Sequence, residues 1–262
     1  MADLLQHVAE SGFPFPEQLI HLFVGGSELH GAKVHGTDDL DIYGVYIEPP
    51  ELVLGLDSMP HFVWSTAGNE RRNGPKDVDV TLYSLQKWAG LACKGNPTAL
   101  HFLFTKSAVR SKTWRNILTH KDVFLSRSCV PQFLGFADAQ LKRMTGQLGR
   151  GKKGQRPELE EKYGYDVKAG MHVLRLLYEC QELITTGKIR FHGRSAICSF
   201  ACALASTPWR RSWQWRKSSL PIVSRRRKAH PCRRRLTAPP YRSSWRNLIA
   251  QPGLPRTEPS YV

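Results

Sequence analysis

The sequence predicts an α+β fold, a small mixed β-sheet with a helical part behind it, from two patterns that follow one another along the chain. Short apolar runs bounded by glycine and proline lie in the first third of the sequence, and such runs are typical of strands. Beyond Lys106 the apolar residues recur every three or four positions, which is the spacing of amphipathic helices. Strands followed by helices favour an α+β architecture.

Turn-forming residues delimit the predicted strands. The first strand ends at Gly25-Gly26 and the second stops before Pro49-Pro50. Residues 4–20 are expected to form a short helix broken at Pro14 and Pro16, and residues 55–75 a loop or an irregular hairpin. The three strands are predicted at residues 22–24, 40–47 and 78–82.

Capping residues support the predicted helices. Ser84 is suited to cap a helix over residues 85–92, because its hydroxyl can accept a hydrogen bond from a free N–H of the first turn. Asp166 is suited to the same role before the last long helix, and Asn96-Pro97 is expected to be a helix-terminating turn. The later helices are predicted at residues 98–105, 133–148 and 165–185.

The net charge of +16 comes almost entirely from the last quarter of the chain. From His192 onward there are 15 Lys and Arg residues and one acid, Glu258, whereas the first 191 residues hold 23 bases and 21 acids. The body of the protein is therefore nearly neutral, and the overall charge does not by itself indicate that this body binds nucleic acid.

Residues 193–262 form a basic tail rich in Arg, Ser, Pro and Trp, and its composition predicts disorder. Four of the seven tryptophans lie in this tail, which is unusual for a disordered linker. We interpret the tail as the product of a shifted reading frame. The alternative is a genuine nucleic-acid-binding arm, in which Arg contacts phosphates and Trp stacks on bases.

Cysteine usage and hydropathy predict a reduced, cytoplasmic protein with no membrane attachment. The six cysteines are scattered and form no CxxC pair, so the sequence suggests neither a zinc site nor a disulfide framework. No apolar run approaches the roughly 18 residues of a membrane span. The N-terminus has no basic region followed by an apolar one, so a secretory signal is not expected. The oligomeric state is not indicated.

Three aspartates are candidates for a divalent-cation site. Asp39 and Asp41 are two residues apart, so on a strand they project from the same face. Carboxylates roughly 6–7 Å apart along a strand are suited to bridging hard cations. A third acid is expected from a neighbouring strand, where Asp79 lies between two valines and Asp77 is a weaker candidate.

Gly26-Ser27 lies where a predicted strand turns into the next element. Such a turn exposes backbone N–H groups and a hydroxyl, both of which suit phosphate oxygens. A phosphate-binding turn beside a pair of carboxylates is what phosphoryl or nucleotidyl transfer requires. Taken alone, a DxD pair is most often a solvated loop, so the prediction depends on the order of strand, turn, DxD, strand and later aspartate.

These features together resemble nucleotidyltransferases of the DNA polymerase beta superfamily. Segments further along the chain are similar to one branch of that superfamily, the bacterial and phage predicted nucleotidyltransferases associated with RNA repair. The resemblance covers roughly residues 18–192. It is carried by Gly26-Ser27, Gly31, Gly36-Thr37, Asp38-Asp39-Leu40-Asp41 and Gly44-Val45, then by residues 79–87, 94–97 and 162–168, with Met171-His172 and Arg175.

The resemblance implies a sheet of nucleotidyltransferase type and a division of labour among its residues. Asp39 and Asp41 would hold two Mg²⁺ ions, with Asp79 as the third acid that helps activate the attacking hydroxyl. Gly26 and Ser27 would grip the triphosphate of an NTP. Asp38 stands where the family usually has Ser, which adds an acid and spares the ligands, and the basic tail does not resemble the family's helical C-terminus.

Lys168 and His172 are further candidates for nucleotide binding. They lie one turn apart on the same face of the last long helix, and a basic face directed at the cleft would contact the nucleotide. The alternative is structural: His172 packs within the protein and the basic residues form a solvated face.

The resulting hypothesis is an enzyme that transfers a nucleoside monophosphate from an NTP to a hydroxyl, with an RNA end, another nucleic acid or a protein side chain as acceptor. We expect a catalytic domain at residues 1–110, a helical region at 111–192 and the tail at 193–262. The alternatives are a non-catalytic nucleic-acid-binding protein that uses its tail, and an inactive frameshifted product.

Overall fold

Five strands form a single mixed sheet in the computed structural model of the chain, which describes residues 2–31, 39–68, 73–126, 128–145 and 161–191. The strands are β1 (Leu19–Val24), β2 (Leu40–Tyr46), β3 (His61–Ser65), β4 (Val78–Ser84) and β5 (Val109–Arg110). Their order across the sheet is β3-β4-β2-β1-β5. The predicted α+β class with a mixed sheet is confirmed, while the tail at 193–262 lies outside the described residues.

One parallel pair lies at the centre of this sheet. Strands β2 and β4 run parallel with no register shift, so that Asp41 is paired with Asp79. The other neighbours, β1 with β2, β1 with β5 and β3 with β4, are antiparallel. The chain leaves β2, forms the edge strand β3 and returns through a hairpin into β4.

Helices cover both faces of the sheet. They are α1 (Ala2–Glu10), α2 (Gly26–Leu29), α3 (Pro50–Leu54), α4 (Leu85–Cys93), α5 (Pro97–His101), α6 (Lys112–Thr119), α7 (Cys129–Met144) and α8 (Val167–Thr186), with short 3₁₀ turns at Pro16–Gln18 and Lys121–Phe124. Within the described ranges, no helix is long and apolar enough to cross a membrane.

The alternation of side chains along the strands produces two cores. On one face Ile42 and Val80 pack with Val8 of α1 in the smaller core. On the other face Val45 packs with residues of α4 to α8 in the larger core, which includes the buried indole of Trp88. This larger core contains residues from both sides of residue 110. The predicted division into a catalytic domain and a helical region stays a prediction.

Side chains cap the N-termini of several helices, as the sequence predicts. The Ser84 hydroxyl accepts a hydrogen bond from the N–H of Lys87 at the start of α4. The Asp166 carboxylate accepts one from the N–H of Ala169 at the start of α8. Asn96 follows α4 as expected, but its side chain also caps α5 by accepting from the N–H of Ala99.

Several predicted bounds differ from the observed ones. Helix α1 ends at Glu10, and Leu19 and Ile20 belong to β1, because they bury their side chains in the sheet rather than continuing a helix past the prolines. Helix α7 begins at Cys129, four residues before the predicted start. The segment expected to be a loop or hairpin contains the strand β3, which pairs with β4.

The two cores predict a contrast between two valines on neighbouring strands. Val80 is 0% exposed in the smaller core, whereas Val63 is 63% exposed on the edge strand β3. Val80→Ala is expected to lower the free energy of unfolding by about 2 kcal/mol, because it removes buried methyl groups and leaves a cavity. Val63→Ala is expected to lower it by less than about 1 kcal/mol. Equal losses in urea denaturation would contradict the assignment of Val80 to the core.

Candidate functional site

Three carboxylates meet at the start of the parallel strand pair. Asp39, Asp41 and Asp79 each place an oxygen within 4.8 Å of the others, and all three side chains are half-buried. The pairing of β2 with β4 sets Asp41 beside Asp79 on the same face of the sheet. Asp39 precedes β2, where the N–H of Leu40 donates to the carbonyl of Asp77 at 2.8 Å and fixes the entry of the strand.

The glycine turn between β1 and α2 lies directly against these carboxylates. The N–H of Gly25 donates to the Asp41 carbonyl at 2.8 Å. Gly26 has a φ of +56°, and a Cβ there would lie 1.7 Å from Oδ2 of Asp41. A Cβ at Gly25 would lie 2.3 Å from the ring of Tyr43. A side chain at either position would have to displace Asp41 or Tyr43, so glycine lets the turn approach the sheet this closely.

Asn73 is a site residue that the sequence analysis did not find. Its side-chain N–H₂ donates to Oδ2 of Asp39 at 2.8 Å and also to Oδ2 of Asp79. The amide thereby offsets part of the electrostatic repulsion between the two carboxylates. A single Asn in a glycine-containing loop has no pattern in the sequence that would single it out.

The hydrogen bonding and the chemical type of the carboxylate oxygens suit a divalent cation. Oδ1 of Asp79 is buried and has no hydrogen-bond partner within the part of the chain that the structure describes. A buried carboxylate oxygen without a partner is costly, and a cation ligand would satisfy it. Clustered carboxylate oxygens are also the ligands that Mg²⁺ and Ca²⁺ prefer. Asp39, Asp41 and Asp79 are therefore the residues that could hold a metal.

Two tyrosines follow the aspartates on the same face of the sheet. Burial, reinforced by the charge of Asp41, raises the pKa of Tyr43 above its ordinary value. Burial also raises the pKa of Tyr83. Both phenols therefore stay neutral at physiological pH, so the negative charge on this face of the sheet comes from the carboxylates alone.

The structure places the predicted nucleotide-binding residues on two helices, α2 and α8. Gly26 adjoins Asp41, and Ser27 is half-buried in the first turn of α2. On α8, Lys168 is exposed and has no ion pair with the three carboxylates among the described residues. His172 is half-buried, and its charge acts on His30 at the end of α2. The roles of all four residues stay predictions.

The sheet and its three carboxylates define an α+β protein with a candidate divalent-cation site beside a glycine turn. Residues 1–197 match the RNA repair pathway DNA polymerase beta family, and the chain belongs to that family. This membership confirms the resemblance found in the sequence.

Two further proteins are similar to parts of this chain. An uncharacterized 38.9 kDa protein from the nrdC-mobD intergenic region of Enterobacteria phage T4 is 25% identical over 123 residues, which are 45% of this chain and 36% of the phage protein. A nucleotidyltransferase-like protein from Exiguobacterium sibiricum 255-15, known from its crystal structure, matches with a TM-score of 0.30 and 14% identity over 68% of this chain and 53% of its own. The chain thus spans about a third of the first protein and about half of the second.

The contact between Gly26 and Asp41 predicts a stability difference between two glycine variants. Gly68 also has a positive φ, +63°, but a Cβ there would meet nothing within 4 Å. Gly68→Ala is expected to cost about 1 kcal/mol from backbone strain alone. Gly26→Ala adds the collision with the Asp41 carboxylate, so its cost should reach about 3 kcal/mol.

Urea denaturation measures both variants, and a Mn²⁺ titration measures the site directly. Gly26→Ala should also weaken Mn²⁺ binding because the displaced Asp41 is a candidate ligand, whereas Gly68→Ala should bind Mn²⁺ like the original chain. If the two variants behave alike in both measurements, the contact with Asp41 has no energetic importance.

Proposed function

We propose that this protein is a Mg²⁺-dependent nucleotidyltransferase that transfers a nucleoside monophosphate from an NTP to a hydroxyl. The observation that supports the proposal best is the convergence of three aspartates within 4.8 Å beside a glycine turn. Membership of the RNA repair pathway DNA polymerase beta family supports the same class of reaction, and its name favours an RNA end as the acceptor.

The proposed roles divide between the carboxylates and the turn. Asp39, Asp41 and Asp79 would hold two Mg²⁺ ions, which when bound supply positive charge to the triphosphate and to the leaving pyrophosphate. The N–H of Gly25 is bonded to the Asp41 carbonyl, so the donors of this turn would be the N–H of Gly26, which adjoins the Asp41 carboxylate, and the half-buried Ser27 hydroxyl. These donors would orient the triphosphate, and Lys168 and His172 of α8 would contact the nucleotide.

Asp79 is the residue best suited to accept the proton of the attacking hydroxyl. One of its oxygens accepts from Asn73, whereas Oδ1 has no such partner among the described residues. The acceptor oxygen would form a bond to the α-phosphorus of the NTP as the bond to pyrophosphate breaks, and the proton would pass to the Asp79 carboxylate. The sheet register holds Asp79 beside Asp41 throughout.

The proposal includes the organisation of the chain around this chemistry. Residues 1–110 would form the catalytic domain, and the helical region at 111–192 would pack on it and contribute α8. The enzyme would act in the cytoplasm on an NTP and a nucleic-acid acceptor, of which an RNA end is the preferred candidate.

Aspartate-to-asparagine variants test the proposal because they keep side-chain shape and remove charge. Asp39→Asn, Asp41→Asn and Asp79→Asn are each expected to reduce transfer from labelled NTP by at least about 100-fold and to weaken Mn²⁺ binding. Asp77→Asn is the matched control. Its carboxylate accepts from Thr66 Oγ1 at 2.8 Å and from the Gly74 N–H at 2.6 Å, so the change should lower stability and leave transfer in place.

The assay supplies each labelled NTP with Mg²⁺ and a pool of RNA, DNA and protein acceptors. Label must reach an acceptor, and pyrophosphate must appear in equal amount. The non-catalytic alternative predicts a different result. The original chain would then transfer no label, and the Asp41→Asn variant would still bind nucleic acid.

A further inference from the structure

A buried carboxylate on α8 connects three elements behind the candidate site. Glu179 is 2% exposed, and its Oε2 lies 2.8 Å from Nε2 of His101 on α5. Its Oε1 lies 3.6 Å from Nδ1 of His30, which follows α2, and 3.8 Å from Nε of Arg175, one turn earlier on α8. These four residues are called the Glu179 cluster below.

Arg175 supplies the positive charge of the Glu179 cluster beside Oε1. Burial and the nearby charge of Arg175 lower the pKa of His30 to about 2, so its imidazole is neutral at physiological pH. Burial also lowers the pKa of Arg175, but the Glu179 carboxylate opposes that shift, and a guanidinium stays charged in proteins. The arginine is therefore a permanent cation within this part of the fold.

The Glu179 cluster pairs Arg175 with Glu179 through charge rather than through a hydrogen bond. The Nε of Arg175 is buried without a hydrogen-bond partner among the described residues, because 3.8 Å to Glu179 is too long for a hydrogen bond. Lys168, His172, Arg175 and Glu179 follow at intervals of four, three and four, so they share one face of α8. On this face the Arg175 side chain is 22% exposed, whereas that of Glu179 is 2% exposed. Arg175 is therefore the more solvent-accessible member of the pair.

Helix α2 links this position to the candidate site. It begins at Gly26, against the Asp41 carboxylate, and ends before His30, beside Glu179. Four helical residues span only about 6 Å. The charge of Arg175 also acts on Tyr43, which follows Asp41 on the same face of β2. Arg175 therefore lies within electrostatic reach of the face of β2 that carries Asp41.

Resting on the proposed function, we propose that Arg175 binds the phosphate groups of the NTP and that Glu179 is the positioning residue that holds it. The three aspartates and a triphosphate together outweigh the charge of two divalent cations, so a further cation is needed at the site. A guanidinium meets that need with paired donors that match phosphate oxygens. The Glu179 carboxylate, fixed by His101, attracts the Nε edge of that guanidinium at 3.8 Å and so orients its remaining N–H groups.

The conservative variant Arg175→Lys tests the proposal in the full chain. Lysine keeps a positive charge beside Glu179, so the fold should persist, but it loses the paired donors. Arg190→Lys is the matched control, since Arg190 has a similar pair, 3.7 Å from Glu182, on a 71% exposed side chain. Calorimetry with α,β-methylene NTPs in Mg²⁺ measures binding without transfer, and ligand-observed NMR measures binding of the parent nucleoside.

We expect Arg175→Lys to weaken binding of the triphosphate analogue by about 10-fold and to leave binding of the nucleoside unchanged. Arg190→Lys should change neither affinity. The double variant Arg175→Gln/Glu179→Gln, which removes both charges together, should lose at least as much. Unchanged analogue binding, or an equal loss for the nucleoside, would overturn the role of Arg175. If the original chain binds no analogue, the proposed function fails and this inference with it.

Discussion

Asp41 and Asp79 lie side by side because β2 and β4 pair in parallel without a register shift. Two carboxylates on adjacent strands repel one another, so the ladder of backbone hydrogen bonds has to hold them against that repulsion. The buried side chains of Ile42 and Val80, on the opposite face, anchor the same two strands in the smaller core. A slip of one residue would exchange the two faces and bury the acids.

The glycine turn and α8 depend on this central pair in different ways. Gly26 contacts the Asp41 carboxylate directly, so the turn follows the position of β2. Helix α8 lies further away and packs against α7, with its apolar face in the larger core. Its polar residue Glu179 then reaches His30 at the end of α2. The glycine turn is consequently held by the sheet, and α2, which follows it, ends beside the buried Glu179 of α8.

Patterns that repeat along the chain allowed much of this arrangement to be predicted. Apolar runs of strand composition predicted β2 and β4, and capping side chains predicted the starts of α4 and α8. The strand β1 was predicted too short, because the apolar pair Leu19-Ile20 follows prolines and reads equally well as the end of a broken helix. The proximity of Asp39, Asp41 and Asp79 could be expected because two of them share a strand face and the third lies on a strand.

Contacts between distant residues that belong to no common motif could not be predicted. His101 and Glu179 are 78 positions apart, and neither belongs to a motif that would join them. On the sequence alone, Glu179 is one more acid on a periodic helix, and its burial depends on how α8 meets α5. Asn73 is similar, since its two carboxylate partners are brought to it by the return of the chain from β3 into β4.

The position of Asn73 has a consequence for how the site would respond to its ligands. Its amide occupies Oδ2 of Asp39, which a divalent cation could also bind, and Oδ2 of Asp79, beside the Oδ1 that such an ion would satisfy. An entering ion therefore competes with the Asn73 amide for the carboxylates. Its apparent affinity is the free energy of the metal–carboxylate bonds minus that of the amide–carboxylate hydrogen bonds it replaces. Because Asn73 lies in the loop that enters β4, ion uptake would release this loop from the carboxylates. Occupancy of the site would then be reported by the backbone of the loop, for instance in its rate of amide hydrogen exchange.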